Sequence, residues 1–127
     1  MEIFGHEYGM RYTVGAQQEI AELCPDKDLK RLNEVFRGKI AEATKAQAKL
    51  PMALSAWNER AKSLEEKAQG REYSPAPLTW DVIEMLTPQE FGALLDEAFA
   101  VMAADSGRTV EADAAGSQKK TGAAAGS

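Results

Sequence analysis

The stretch from Leu78 to Asp105, LTWDVIEMLTPQEFGALLDEAFAVMAAD, decides the predicted fold. Within it, the Thr87 hydroxyl can accept a hydrogen bond from the N–H of Glu90, and the Glu90 carboxylate can accept one from the N–H of Thr87. This reciprocal pair is a capping box. Pro88 falls at the first helical position, where the missing N–H of proline costs nothing. The sequence therefore predicts that a helix begins at Pro88.

This predicted helix has one apolar face. Its apolar residues recur at helical spacing: Phe91, Leu94, Leu95, Ala98, Phe99 and Met102. Upstream, Thr79 can cap a shorter helix whose Trp80, Ile83 and Leu86 cover the same face. Leu86 and Phe91 are spaced as a hydrophobic staple. We expect the two helices to close the core of the domain.

The chain has 127 residues and a net charge of −5, from 15 basic and 20 acidic residues. This length suits one small domain. Basic residues form no stripe, so we expect no nucleic-acid partner. Because no apolar run approaches about 20 residues, we expect no membrane partner. The single cysteine excludes an internal disulfide, which fits a reducing cytoplasm.

The N-terminal residues 1–14 alternate at the period of a β-strand and predict a small β-hairpin. Ile3 and Phe4 form its first strand, Gly5 and His6 its turn, and the second strand contains Tyr8, Met10, Tyr12 and Val14. Residues 15–24 predict a short helix. Its apolar face is Ala16, Ile20, Leu23 and Cys24, and it ends before Pro25.

The middle of the chain predicts helices over residues 27–45 and 46–69. The first contains Gly38, which weakens it unless close packing requires a glycine there. Pro51 predicts a kink or a restart in the second. Whether residues 27–69 form two helices or one bent helix stays open. Gly70 ends the segment, and residues 70–77 form a proline-containing linker.

These elements predict a mainly α domain of about five helices with a small N-terminal β-hairpin, spanning residues 1–105. Residues 106–127 are rich in Gly, Ala and Ser, and we expect a disordered tail there. The predicted core consists of Phe4, Tyr12, Ile20, Leu23, Leu32, Phe36, Ile40, Leu54, Trp57, Ile83, Leu86, Phe91, Leu95 and Phe99.

The sequence predicts no catalytic, metal-binding or cofactor-binding residue. One histidine and one cysteine cannot build a zinc site of the usual spacing. His6 falls in an exposed turn, and Cys24 falls on an apolar helix face, as a buried structural thiol does. Acidic pairs such as Glu65–Glu66 lie on solvated helix faces. We therefore expect a binding protein in preference to an enzyme.

Two apolar stripes are candidates for a partner or a second copy of the chain. Leu50, Leu54, Trp57, Ala61 and Leu64 form a seam of nearly heptad spacing. On the last helix, Leu94 and Met102 can face a partner while Phe91 and Leu95 close the core. Trp57 and Trp80 are either core residues or interface anchors, because tryptophan is enriched at both kinds of site.

Three segments, in this order, resemble the tail assembly chaperones of long-tailed bacteriophages. EYGMRYTVGAQQEIAEL is similar to the opening hairpin and helix of that family. LPMALSAWNERAKSLEEK, with its pair Asn58–Glu59, is similar to the middle helix, and LTWDVIEMLTPQEFGALLDEAF is similar to the closing helix pair. The resemblance covers roughly residues 4 to 104 and includes no catalytic motif.

The resemblance implies a non-enzymatic chaperone that binds the tape-measure protein in the host cytoplasm and is absent from the mature virion. It also implies homo-oligomers and a longer, frameshifted form that recruits the tail tube protein. Lys119–Lys120, after Gln118, can be encoded by an A-rich slippery site. The alternative is a helical adaptor or regulatory protein with a single partner of another kind.

Overall fold

The long helix Ile40–Ala68 is the element against which the other helices pack. The structure, a computed structural model, describes residues 1–36 and 40–115, and the side chains of residues 1–36 and 43–106. The order is β1 (Glu2–Ile3), β2 (His6–Glu7), α1 (Val14–Leu23), 3₁₀ segments at Pro25–Lys27 and Leu29–Phe36, α2 (Ile40–Ala68), α3 (Trp80–Ile83) and α4 (Pro88–Ala115). The predicted mainly α fold with an N-terminal hairpin is confirmed.

The hairpin is shorter than predicted. Its antiparallel strands pair Ile3 with His6, so the turn is Phe4–Gly5 and not Gly5–His6. Both turn residues have positive φ, 51° and 80°, as a type I′ turn requires. The predicted second strand is wrong beyond Glu7, because the chain turns to α2 instead: the Arg11 N–H donates to the Leu54 carbonyl over 3.1 Å.

Helix α1 confirms the prediction for residues 15–24 to within one residue at each end. It begins after Thr13, whose hydroxyl oxygen accepts a hydrogen bond from the Ala16 N–H at 3.1 Å. Such a bond satisfies one of the N–H groups that every helix start leaves unpaired. Cys24 is extended, with φ −90° and ψ 154°, because the following proline disfavours helical geometry there.

The helix predicted over residues 27–45 is wrong for residues 27–36, whereas residues 40–45 are helical as the start of α2. Asp26 and Lys27 have φ of 57° and 55°, which interrupts right-handed helix formation. A 3₁₀ segment then runs over Leu29–Phe36, held in part by two 2.8 Å hydrogen bonds from the Arg31 guanidinium to the Glu34 carboxylate. Gly38, which was expected to weaken this helix unless close packing required a glycine, lies outside the described residues.

Helix α2 continues through Pro51 without a restart. Leu50 and Leu54, on either side of the proline, are 2% and 0% exposed, and this packing stabilises the helix despite the lost backbone hydrogen bond. The helix ends at Ala68, and Gly70, the predicted terminator, follows it with φ +76°. The Arg71 N–H donates to the Glu66 carbonyl at 2.8 Å and the Gly70 N–H to the Lys67 carbonyl at 3.0 Å, which is a Schellman motif.

Two apolar clusters form the core on either side of α2. The first joins α1, α2 and α4 through Ala16, Ile20, Leu50, Ala53, Leu54 and Ala98. The second joins the hairpin, α2, α3 and α4 through Ile3, Ala48, Leu78, Ile83 and Leu94. The alanines allow the helices to approach closely. The core is therefore organised by α2 and not by the stretch from residue 78 to 105.

The predicted core is correct for some residues and wrong for others. Ile20, Leu54 and Ile83 are buried, whereas Phe4 is 70% exposed and Phe99 39% exposed. The side chain of Ile40 lies outside the described residues. The others are half-buried: Tyr12, Leu23, Leu32, Phe36, Trp57, Leu86, Phe91 and Leu95.

Helix α4 begins with the predicted capping box. The Thr87 N–H donates to Glu90 Oε1 at 2.9 Å, and the Glu90 N–H donates to Thr87 Oγ1 at 3.1 Å. The helix continues past the expected boundary near residue 105 to Ala115, and the Asp105 carboxylate accepts a 2.9 Å hydrogen bond from the Tyr12 N–H. The remainder of the predicted tail, residues 116–127, lies outside the described residues.

Candidate functional site

The two side chains considered for chemistry, His6 and Cys24, lie in different environments. His6 is exposed, and its ring centroid lies 4.4 Å from that of Tyr8. Cys24 is 5% exposed and donates from Sγ to the Ile20 carbonyl at 3.3 Å. Burial raises the pKa of this thiol, which keeps it protonated and a poor nucleophile. Within the described residues, no group of three His, Cys, Asp or Glu side chains could hold a metal ion.

A row of buried polar side chains on α2 anchors the segment before α3. The Glu59 carboxylate accepts hydrogen bonds from the Tyr73 hydroxyl at 2.6 Å and the Ala76 N–H at 3.0 Å. One turn earlier, Ser55 Oγ accepts from the Leu78 N–H at 2.9 Å. These bonds hold the proline-containing segment along α2 and place Leu78 in the second cluster. The predicted linker therefore has no regular structure but is firmly docked.

The charge state of this anchor follows from its contacts. Burial alone would raise the pKa of Glu59, but the hydrogen bonds from Ala76 and Tyr73 outweigh it, so the pKa is lowered. The same bond to Glu59, together with burial, raises the pKa of Tyr73 to about 12. At neutral pH the anchor thus pairs a carboxylate with a neutral phenol, an arrangement that stabilises the fold.

Asn58, the other member of the Asn58–Glu59 pair, is also an interior residue at 5% exposure. Its side chain lies against the backbone of Gly9, where an added β-carbon would be 2.6 Å from Asn58 Nδ2. Nδ2 has no hydrogen-bond acceptor in the described part of the chain. The pair thus faces the interior, and neither residue is available to a partner at the surface.

Three of the six predicted partner-binding residues are core residues. Leu50 is 2% exposed, and Leu54 and Leu94 are 0% exposed. Helices α1 and α4 cover the face of α2 that was expected to be a free seam, because both bring small residues, Ala16 and Ala98, against it. The assignment of these three leucines to a partner surface is therefore wrong.

The other three predicted partner-binding residues lie at the edge of the fold. Trp57 is half-buried: its Nε1 donates to Glu19 at 2.8 Å, and the Arg60 guanidinium lies 4.3 Å from its ring centroid. Met102 is half-buried against the first cluster. Leu64 is 69% exposed near the end of α2. The structure thus does not bring the six residues together on one surface.

Among the residues whose side chains the structure describes, five large apolar ones are exposed instead. They lie on separate elements: Phe4 70%, Val14 82%, Leu64 69%, Met85 69% and Phe99 39%. Nothing in the sequence indicated that Val14 and Met85 are exposed, and Phe4 was predicted to lie in the core. The exposure of Phe4 could have been predicted from Gly5. A glycine commonly takes the second position of a two-residue hairpin turn, and this placement puts Phe4 at the first position of the turn.

The concave surfaces on the described part of the chain include a groove and a smaller cavity, and Phe4 lines the smaller one. A groove of about 270 Å³ lies between α1, α2 and the docked segment; its lining is Glu19, Leu23, Lys49, Met52, Ala53, Ala56, Pro77 and Leu78. A smaller cavity of about 100 Å³ lies between the hairpin and the start of α4; its lining is Met1, Glu2, Ile3, Phe4, Leu86 and Glu90. None of the described helices has the length and apolar character needed to cross a membrane.

Comparison with known proteins gave no match among protein-family models, curated proteins or solved structures.

Proposed function

We propose that this chain is a non-enzymatic tail assembly chaperone of a long-tailed bacteriophage, which binds the tape-measure protein in the host cytoplasm. The observation that carries the proposal is the exposure of large apolar side chains on a small domain whose core is otherwise closed. Aromatic and methionine side chains are enriched at protein interfaces, and Phe4, Met85 and Phe99 are among the exposed ones. The order of the three segments that resemble the family also supports it.

The spacing of the exposed side chains suits a long ligand. Phe4, Val14, Leu64 and Met85 lie on four different parts of the chain, so each contact with a partner buries a small area. A tape-measure protein is long and helical, and many copies of a small chaperone along it bind by multivalency. Weak individual contacts are then sufficient, and they allow the chaperone to leave when the tail tube assembles.

The net charge of −5 supports the same role. Like charges keep free copies apart while apolar side chains are exposed. Oligomers remain part of the proposal. They would form through exposed residues such as Leu64, because Leu50 and Leu54 are occupied in the core.

A longer form of the protein would recruit the tail tube protein. Helix α4 carries the chain to Ala115, and Gln118–Lys119–Lys120 follow shortly afterwards in the sequence. A slippery heptamer in the gene across codons 118–120, with an open reading frame in the −1 frame, is the expected finding. An uninterrupted sequence without such a heptamer would remove the frameshift from the proposal.

The decisive experiment is co-expression with fragments of a tape-measure protein encoded beside this gene. We expect the fragments to be insoluble alone, soluble with this chain, and bound to several copies of it by native mass spectrometry. A chain that ignores every fragment and instead forms a one-to-one complex with another protein would be an adaptor. Mass spectrometry of purified virions provides the second check, because a chaperone is absent from them.

A further inference from the structure

Phe4 occupies a position that its own fold does not favour. Its φ of 51° is in the left-handed region, which is strained for a bulky residue and is normally occupied by Asn, Asp or Gly in such a turn. Its side chain is also 70% exposed. Backbone strain opposes folding, and a ring that stays exposed buries little apolar area to offset that strain. Strain of this kind at an exposed aromatic residue points to a role in binding.

The cavity beside Phe4 is built to accept an apolar group. Its volume of about 100 Å³ is several times the roughly 10–15 Å³ that a cavity needs to hold one water molecule, so a small aliphatic group fits. Ile3, which is 5% exposed, and Leu86 contribute apolar atoms to the wall. Met85, next to Leu86 in the chain, is 69% exposed. A partner side chain inserted here would contact apolar groups and the Phe4 ring.

The charges around this cavity are acidic. Glu2 and Glu90 line it, and neither carboxylate forms an ion pair with the described part of the chain. Among the described residues that line the cavity, the cationic group is the Met1 ammonium, and it is already bound by the Glu7 carboxylate at 2.6 Å and by the Tyr8 carbonyl at 2.7 Å. The rim therefore attracts basic groups and repels acidic ones.

We propose that Phe4 and this cavity, termed the hairpin cavity, dock a basic amphipathic segment of another protein. One apolar side chain of the segment enters the cavity against Phe4, and flanking lysine or arginine residues pair with Glu2 and Glu90. Charge complementarity selects this occupant. A second copy of the chain, with its net charge of −5, and the phosphates of a nucleic acid are both disfavoured at an acidic rim.

Within the proposed function, the segment belongs to the tape-measure protein, and only that identification rests on the proposed function. The docking chemistry stands on the geometry of the hairpin cavity. The two are therefore tested with different probes, a designed peptide for the surface and the tape-measure fragments for the role.

The test uses two synthetic helical peptides of about 18 residues, which share one Leu/Phe face and carry either lysine or glutamate on the other. Fluorescence anisotropy with the full chain measures their affinity. We expect the lysine peptide to bind more tightly, and its affinity to fall as salt rises. Phe4→Asn should weaken it by about tenfold or more, as loss of an aromatic anchor does. Glu2→Gln with Glu90→Gln should remove the preference for lysine.

Thermal unfolding separates binding from folding at Phe4. Because asparagine tolerates the left-handed conformation, Phe4→Asn should raise the melting temperature by about 4 °C while it weakens binding. Ala100→Ser is the control: Ala100 is exposed on α4 and does not line the hairpin cavity, so peptide affinity should not change.

Three results would overturn the proposal: equal affinity for both peptides, unchanged affinity in Phe4→Asn, or a lower melting temperature in Phe4→Asn. Binding of the lysine peptide without binding of tape-measure fragments would keep the hairpin cavity as a docking surface and reject the chaperone role. Binding of the fragments with unchanged affinity in Phe4→Asn would keep the chaperone role and reject the hairpin cavity.

Discussion

The indole ring of Trp57 on α2 lies directly on the backbone of Gly15 on α1. A β-carbon at Gly15 would overlap the ring atoms Cη2 and Cζ3, and even Cζ2 would be 2.6 Å away. Two polar side chains hold the ring in this place: its Nε1 donates to Glu19, and the Arg60 guanidinium covers its face. The absence of a side chain at Gly15 therefore sets the distance between α1 and α2.

Gly15→Ala should destabilise the protein although alanine is the better helix former. We expect a loss of about 1–3 kcal/mol in the free energy of unfolding, because a rigid ring inside a packed interface must move. Urea denaturation measures it. Gly92→Ala on α4 is the matched control: its β-carbon meets nothing within 4 Å, so a gain of about 0.5–1 kcal/mol is expected. Equal effects at both glycines would contradict the contact.

The Glu59–Tyr73 anchor predicts that the stability of the fold decreases both at low pH and at high pH. The pKa of Glu59 is lowered from 4.5, so its contribution is complete above that pH and is lost as the pH falls through the folded-state pKa. The pKa of Tyr73 is raised from 10.0 to about 12, so its contribution is complete below pH 10 and is lost as the pH rises toward 12. Stability measured against pH should show both losses.

Glu59→Gln tests the predicted loss of stability at low pH. At pH 7 it should cost about 1.5–3 kcal/mol, the range for a hydrogen bond to a charged group, and the difference from the wild type should shrink below pH 4.5. Glu65→Gln is the control, since Glu65 forms a 3.3 Å exposed pair with Arg11 and should cost no more than about 1 kcal/mol. A constant difference across pH would exclude the anchor as its source.

The sequence correctly predicted helix ends whose backbone groups are hydrogen-bonded by residues close in the chain. The capping box at Thr87 and the glycine end of α2 were predicted because the groups that satisfy each terminus lie within a few residues. The error over residues 27–45 has a different origin. An apolar period was present there, but the left-handed backbone at Asp26 and Lys27 prevents an α-helix from forming immediately after Pro25.

The partner surface was harder to predict than the fold, because an apolar helical stripe does not reveal what covers it. Leu50 and Leu64 have the same seam spacing, yet the first is 2% exposed and the second 69%. The difference arises from α1 and α4, which pack over one end of α2 and not the other. Phe4 shows the opposite error. It was predicted to be buried because it is large and apolar, but it lies in the hairpin turn and is exposed.

Thr87→Ala should remove the hydroxyl half of the capping box and cost about 1 kcal/mol in the free energy of unfolding. Thr87→Ser should retain nearly all of the stability, because the serine hydroxyl can accept the same bond from the Glu90 N–H. Thr79 provides a control at the start of α3, where its side chain makes no capping hydrogen bond. If Thr79→Ala were as harmful as Thr87→Ala, side-chain capping would not explain the effect.

Leu94 and Leu64 provide the final contrast, between a core leucine and an exposed one. Leu94 is 0% exposed, so Leu94→Ala should cost about 2–5 kcal/mol, and Leu94→Asp should unfold the protein, since an unpaired charge cannot be buried there. Leu64→Ala should change stability by less than about 0.5 kcal/mol. Leu64→Asp should leave circular dichroism and the melting temperature intact and, by size-exclusion chromatography with light scattering, abolish oligomers that depend on the end of α2. A folded Leu94→Asp variant would show that α4 does not close the core, and oligomers that persist in Leu64→Asp would place the self-association surface elsewhere.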